Sequence, residues 1–190
     1  MRKIVIYPAE ILRQKTKDVE NIDRRLLEEI NDLKKILKNG ENAAGLAAPQ
    51  IGISKRFFGS KEISNGEALV FINPKIEKNY GGKVYPKIVG ENKKEEDFLE
   101  GCLSFPKYFG TVKRFLKVDV SWDEIDSAKQ NLKRKYKSLN GFEAIVWQHE
   151  SDHLDGIVFI DHVKKNKGKL YKEIKGEMIL QNRNEFKKFI

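Results

Sequence analysis

Two histidines four residues apart with a glutamate beside the first, His149-Glu150-Ser151-Asp152-His153, constrain this 190-residue chain more than any other feature. On a helix that spacing sends both imidazoles from one face, so both can reach one ion while Glu150 stands next to it. The fold must therefore present that helix face where water can enter. It must also bring in another ligand, because a catalytic centre of the zinc type uses three protein ligands and keeps one position open.

Cys102, the only cysteine, is the strongest candidate for that ligand. Gly101 before it and Leu103-Ser104-Phe105-Pro106 after it read as a turn entering a short extended segment, which holds a thiolate in a fixed direction. The competing reading of a lone cysteine is a small buried hydrophobe. HExxH also arises by chance on helices whose histidines are merely hydrogen-bonded. Two protease readings compete as well. His149 to Gly156 satisfies HExxHxxG, but the third histidine of a metzincin falls on Phe159, and the only methionines are Met1 and Met178. A thermolysin-like site would draw its third ligand from Glu173, Glu177 or Glu185, all in a lysine-rich tail that is a poor place for a buried ligand.

Residues 43–50 read Ala-Ala-Gly-Leu-Ala-Ala-Pro-Gln, small residues that admit close approach of backbone or substrate and end on an amide. Taken with Glu100–Ser104 and Gln148–Gly156, this run resembles the three motifs of peptide deformylases, in the family's order. The flanks Tyr7-Pro8, Ile11-Leu12-Arg13, Ile72-Asn73-Pro74 and Gly156–Asp161 also match. The resemblance spans about residues 1–163, a deformylase-like catalytic domain, with 164–190 a basic helix or tail of the same domain.

The resemblance implies a hydrolase that removes the formyl group from the N-terminal formylmethionine of nascent peptides and releases formate. Cys102, His149 and His153 would hold one divalent ion, Fe2+ foremost, with Zn2+, Ni2+ or Co2+ able to replace it. Glu150 would take the proton of the attacking water and pass it to the departing amine. The Gln50 amide and the Leu103 backbone N–H would face the developing oxyanion. Ala44, Gly45 and Gly101 would bind the peptide as an added strand. Ile145 and Val146 would line the pocket for the methionine side chain, and they also read as core positions of an amphipathic helix. Glu100 and Arg114 match an ion pair that braces the cysteine loop. One position departs from the pattern: where the family usually has glycine, two residues before Gly45, this chain has Ala43. Its methyl either strains a positive-φ backbone by about 1 kcal/mol or narrows the substrate groove.

The expected fold is α+β, with mixed, mostly antiparallel sheets packed around a central metal-bearing HExxH helix and a further helix at the C-terminus. Ile22, Leu26, Leu27, Ile30, Leu33, Ile36 and Leu37 predict an amphipathic helix over 23–38, capped by Asn39-Gly40. Alternation over 111–122 predicts a half-buried strand with Leu116, Val118, Val120 and Trp122 on one face. Ala68–Ile72 is a second strand closed by Asn73-Pro74, a weak strand lies around Leu132–Tyr136, and the metal helix runs from Asn140-Gly141 to Gly156. The segment between Asn79 and Asp97 is longer than the family's usual connection.

A single cysteine excludes an intramolecular disulfide and fits a reducing compartment. No apolar stretch reaches about 18 residues, and the apolar run at Ile4–Ile6 is too short for a signal peptide. A cytoplasmic monomer without membrane contact is the expectation. From Val163 to Ile190 nine lysines and arginines face three glutamates. Leu170, Ile174 and Met178 suggest a solvated helix there, and the charge suits the ribosome or ribosomal RNA as a partner. The alternative from another class is a catalytically silent deformylase-like protein that binds RNA or ribosomes through this tail. An intact Glu150 argues against it, since a binding module needs no general base beside two ligands.

Overall fold

The chain's structure, a computed structural model, describes residues 2–40, 43–61, 66–89, 94–126 and 131–189. Its elements in order are α1 (Arg24–Asn39), β1 (Gly45–Ala47), β2 (Phe57–Lys61), β3 (Ala68–Tyr80), β4 (Lys87–Val89), β5 (Glu95–Asp97), β6 (Glu100–Gly101), β7 (Tyr108–Gly110), β8 (Lys117–Asp126), β9 (Asn131–Asn140), α2 (Gly141–Leu154), α3 (Phe159–Lys165), β10 (Leu170–Ile174) and β11 (Glu177–Leu180). Single 3-10 turns lie at Glu10–Arg13 and Ala48–Ile51, and a longer 3-10 segment covers Arg183–Phe189. The strands form three antiparallel sheets, in the orders β1-β2-β3-β8-β9, β11-β10-β7-β6 and β4-β5.

Helix α1 starts where the Asp23 carboxylate accepts from the Leu26 N–H at 2.7 Å, and it buries Leu26, Leu33 and Leu37 on one face of the five-stranded sheet. Strand alternation sends Phe58 to the opposite face. There it meets α2 through an aromatic pile: Phe58, Phe71 and Trp122 surround Trp147, with ring centroids 4.6 to 5.7 Å from it. Helix α2 is therefore covered on both sides. Trp147 faces the sheet, while His149, Glu150 and His153 face the second half of the chain, where α3 packs Phe159, Ile160 and Val163 on Phe105, Val112 and Leu170.

Helix α1 and the metal helix form where periodicity places them. Val118, Val120 and Trp122 are buried on one face of β8, as alternation predicts, but Leu116 is 42% exposed and Ser121 fully buried, donating to Glu77 at 2.5 Å. Asn73-Pro74 does not end its strand. β3 runs on to Tyr80 through a register shift between Ile72 and Lys75, with Asn73 at φ 47. The weak strand around Leu132–Tyr136 is the first part of a ten-residue one, paired along its whole length with β8.

The C-terminal helix expected from Leu170, Ile174 and Met178 is corrected: β10 and β11 make a hairpin, and past α3 only Arg183–Phe189 is helical among the described residues. Lys175 and Gly176 adopt φ values of 52 and 85, a two-residue turn whose handedness matches strand twist. β10 also pairs along the edge of β7, and Leu170 is buried there.

Gly59 explains how α1 can lie so close to the sheet. A Cβ there would stand 2.6 Å from a Leu33 methyl and 3.1 Å from the Leu69 carbonyl oxygen. Gly59→Ala is expected to cost about 1–3 kcal/mol by overpacking, measured by chemical denaturation, with turnover unchanged. An unaltered midpoint would show that α1 is not seated as described.

Candidate active site

Three segments far apart in sequence meet over the inner face of α2. Cys102 follows the two-residue strand β6 and opens a turn, with its carbonyl accepting the Phe105 N–H at 2.9 Å, so the strand precedes the turn rather than following it. Its Sγ lies 3.2 Å from His153 Nε2, and the ligating atoms of Cys102, His149 and His153 all fall within 4.8 Å of one another. No tail glutamate joins that cluster among the described residues. The N-terminal segment ties the two flanking loops together: the Val5 N–H donates to the Gln50 carbonyl and the Tyr7 N–H to that of Ser104.

Gln50, 2% exposed, is aimed by its own backbone. Its Oε1 accepts the Ala47 N–H at 2.8 Å, which turns Nε2 toward Cys102 Sγ at 3.3 Å and Ser104 Oγ at 3.4 Å. The N–H of Leu103, next to the thiol, has no acceptor among the described residues. Glu150 is buried, and its Oε2 likewise lacks a partner there. A Cβ on Gly45 would overlap the Glu150 carboxylate, so only glycine permits β1 to run against it.

Charges below this layer hold it in place. Arg114, 1% exposed, grips Glu100 through Nε at 2.7 Å and Nη2 at 2.9 Å. Glu100 Oε2 also takes His149 Nδ1 at 2.8 Å, which leaves the other ring nitrogen for an ion. Gln148 clamps the Phe115 backbone beside Arg114, accepting its N–H at 3.1 Å and donating to its carbonyl at 2.8 Å.

These surroundings set the titration of each group. Burial alone would push the Cys102 thiol up, but His153 and His149 pull it down to about 5. Burial pushes Glu150 up to about 7, against the pull of both histidines. Burial also disfavours the Glu100 carboxylate, yet Arg114 and His149 hold it at about 2. His149, despite burial, is drawn above its ordinary range by Cys102 and Glu100. A pocket that favours a thiolate and draws a proton to the His149 ring is electrostatically suited to a cation. One sulfur and two ring nitrogens fit a divalent ion.

The cluster opens onto a cavity of about 430 Å³ lined by Ala44, Gly45, Gln50, Gly101, Leu103, Ile145 and Val146. Every site residue singled out from the sequence is thus brought to one place. Ala43 lines the cavity too, is buried, and has no positive φ, so its methyl narrows the groove and does not strain the chain. Sequence reasoning passed over Phe98 and Phe142, whose rings meet edge-on across the cavity at 6.0 Å, and Asp152 with His162, which extend the charge network. Asp152 lay inside the HExxH motif and was the available signal.

The sequence matches the family described as polypeptide deformylase over residues 1–169. The chain belongs to the peptide deformylase family. Peptide deformylase 2 of Clostridium acetobutylicum is 37% identical over 164 residues, 86% of this chain and 95% of that relative. The peptide deformylase of Aquifex aeolicus is 38% identical over 168 residues, 86% and 88% of the two chains. The crystal structure of the peptide deformylase from Thermotoga maritima aligns with a TM-score of 0.69 at 31% identity, over 85% of this chain and 97% of that one. As a deformylase this protein is a metal-dependent enzyme that removes N-formyl groups from nascent peptides. No helix among the described residues is long and apolar enough to cross a membrane.

Because Glu100 titrates near 2 in the folded protein against an ordinary 4.5, its stabilisation is complete above about 4.5 and is lost as pH falls through about 2. Glu100→Gln is expected to cost about 3 kcal/mol at neutral pH, since it leaves Arg114 buried with a weakened partner. It should also flatten the acid limb of the stability curve. Denaturant titrations from pH 7 downward check both, and an unchanged acid limb would contradict the buried pair.

Proposed function

We propose that Cys102, His149 and His153 hold the deformylase's divalent ion and that Glu150, Gln50 and Leu103 carry out the proton transfer and charge stabilisation around it. The observation that carries this reading is the convergence of the thiol, two ring nitrogens and an unpaired buried carboxylate oxygen on one cavity. Fe2+ is the ion we assign from the family likeness, and a thiolate with two imidazoles also accommodates Zn2+, Ni2+ or Co2+. When bound, the ion supplies Lewis acidity that lets water act as a nucleophile near neutral pH.

Glu150 accepts a proton from the attacking water and returns it to the departing amine as formate leaves. Burial that raises its proton affinity suits both steps, because a group poised near neutrality gives and takes with similar ease. Gln50 Nε2–H and the Leu103 N–H donate to the oxyanion that grows on the formyl oxygen. Gln50 needs no reorganisation, since the Ala47 N–H already fixes its amide.

β1 and β6 are each the terminal strand of their sheet, and Ala44, Gly45 and Gly101 line the cavity between them. A formylated peptide enters as a strand between those two edges. Ile145 and Val146 then border the methionine side chain. We assign residues 1–163 as the catalytic domain and 164–190 as part of the same unit, on the support of β10 pairing with β7. A cytoplasmic monomer, with the basic tail of residues 164–190 as a salt-sensitive contact to ribosomal RNA, completes the proposal.

Glu150→Ala is expected to lower formate release from formyl-Met-Ala-Ser by about 100 to 10,000-fold, with the metal still bound. A wild-type rate in that variant would show that another group moves the proton.

A further inference from the structure

The chain has three histidines, and the one outside the metal cluster, His162 on α3, is part of the same charge network. Its Nε2 lies 2.9 Å from Asp152 Oδ2, and that same oxygen accepts Arg114 Nη1 at 2.6 Å. Asp152 and His149 are three residues apart on α2, so they lie on neighbouring positions of one helix face. The contacts thus close a ring: His149 to Glu100, Glu100 to Arg114, Arg114 to Asp152, and Asp152 back to His149 through the helix backbone. His162 reaches that ring from outside, with its side chain 15% exposed.

Two carboxylates here share one guanidinium, and each has a histidine as its second partner. A guanidinium is a rigid planar fork, so it cannot move toward one carboxylate without leaving the other. Arg114 now gives two donors to Glu100 and one to Asp152. Glu100 Oε2 receives both Arg114 Nη2 and His149 Nδ1, so any shift of the fork is felt at the ring of His149.

We propose that His162 is a positioning residue for the metal centre: by satisfying Asp152, it keeps Arg114 seated on both oxygens of Glu100 and so holds the His149 ring toward the ion. The inference rests on the assignment of His149 as a ligand. Without His162, Asp152 loses a donor and draws the fork toward itself. Glu100 then loosens, and with it the orientation of the ligating ring. His162 touches neither substrate nor ion. It acts through three side chains.

The test is the Zn2+ affinity of metal-free full-length protein, measured by competition with a chromophoric chelator, alongside thermal stability. His162→Phe is expected to weaken Zn2+ binding about tenfold, the lower end for groups that support a ligand. His162→Gln, which keeps a donor, should recover most of that loss. His162→Ala gives the same comparison should the phenyl ring disturb α3. In the Co2+-loaded protein the visible absorption should shift for His162→Phe and return for His162→Gln. Zn2+ affinity equal to the parent's in both apolar variants, with only stability reduced, would overturn the proposal and leave His162 as a tie between α2 and α3. A Gln variant as weak as Phe would also overturn it. A parent protein that binds no Zn2+ would instead bring down the ligand assignment, and this inference with it.

Discussion

Arg114, buried between Glu100 and Asp152, is the interaction on which the site depends. It joins the strand that leads into Cys102 to the helix that carries His149 and His153. Burying two carboxylates and a guanidinium costs several kcal/mol per ion unless geometry and hydrogen bonds offset it. Here the offset comes from the bidentate grip on Glu100 and from a histidine on each carboxylate. Hydrophobic packing alone could stabilise the same layers, but it would not fix the angle at which a thiol meets an imidazole.

The rest of the architecture serves to keep α2 dry on one side and accessible on the other. The Phe58, Phe71, Trp122 and Trp147 pile seals its outer face against the sheet, and α1 backs the sheet from beyond. On its inner face the terminal strands β1 and β6 border the cavity, where the proposed extended peptide would find backbone partners on both sides. Gly45 lets β1 approach Glu150 without displacing it, so the proposed backbone partner of the substrate and the proposed proton acceptor are set by one residue.

Much of this is legible in the sequence. The helical period of α1 and the motif spacing on α2 are local signals, and each helix formed where its signal lay, whereas the alternation over 111–122 is matched only from Lys117, where β8 begins, and the strand runs on to Asp126. The convergence of Gln50, Cys102 and the histidine pair was legible only through the joint occurrence of three motifs, because no local rule links residues 50 to 100 positions apart. Three features escaped for physical reasons. Asn73-Pro74 reads as a stop, yet a register shift lets the strand absorb it. Leu170 and Ile174 have helical spacing by coincidence, and the turn at Lys175-Gly176 and the open edge of β7 decide for strand. The contact of His162 with Asp152 spans only ten residues but depends on how α3 turns back against α2, which no periodicity encodes.

The ligand set is the claim that carries everything else, and X-ray absorption at the metal edge of protein purified anaerobically tests it most directly. For the protein loaded with Zn2+, the account predicts one sulfur at about 2.3 Å and two imidazole nitrogens at about 2.0–2.1 Å, with lighter oxygen scattering completing the shell. A shell without sulfur, or one unchanged in Cys102→Ala, would contradict it.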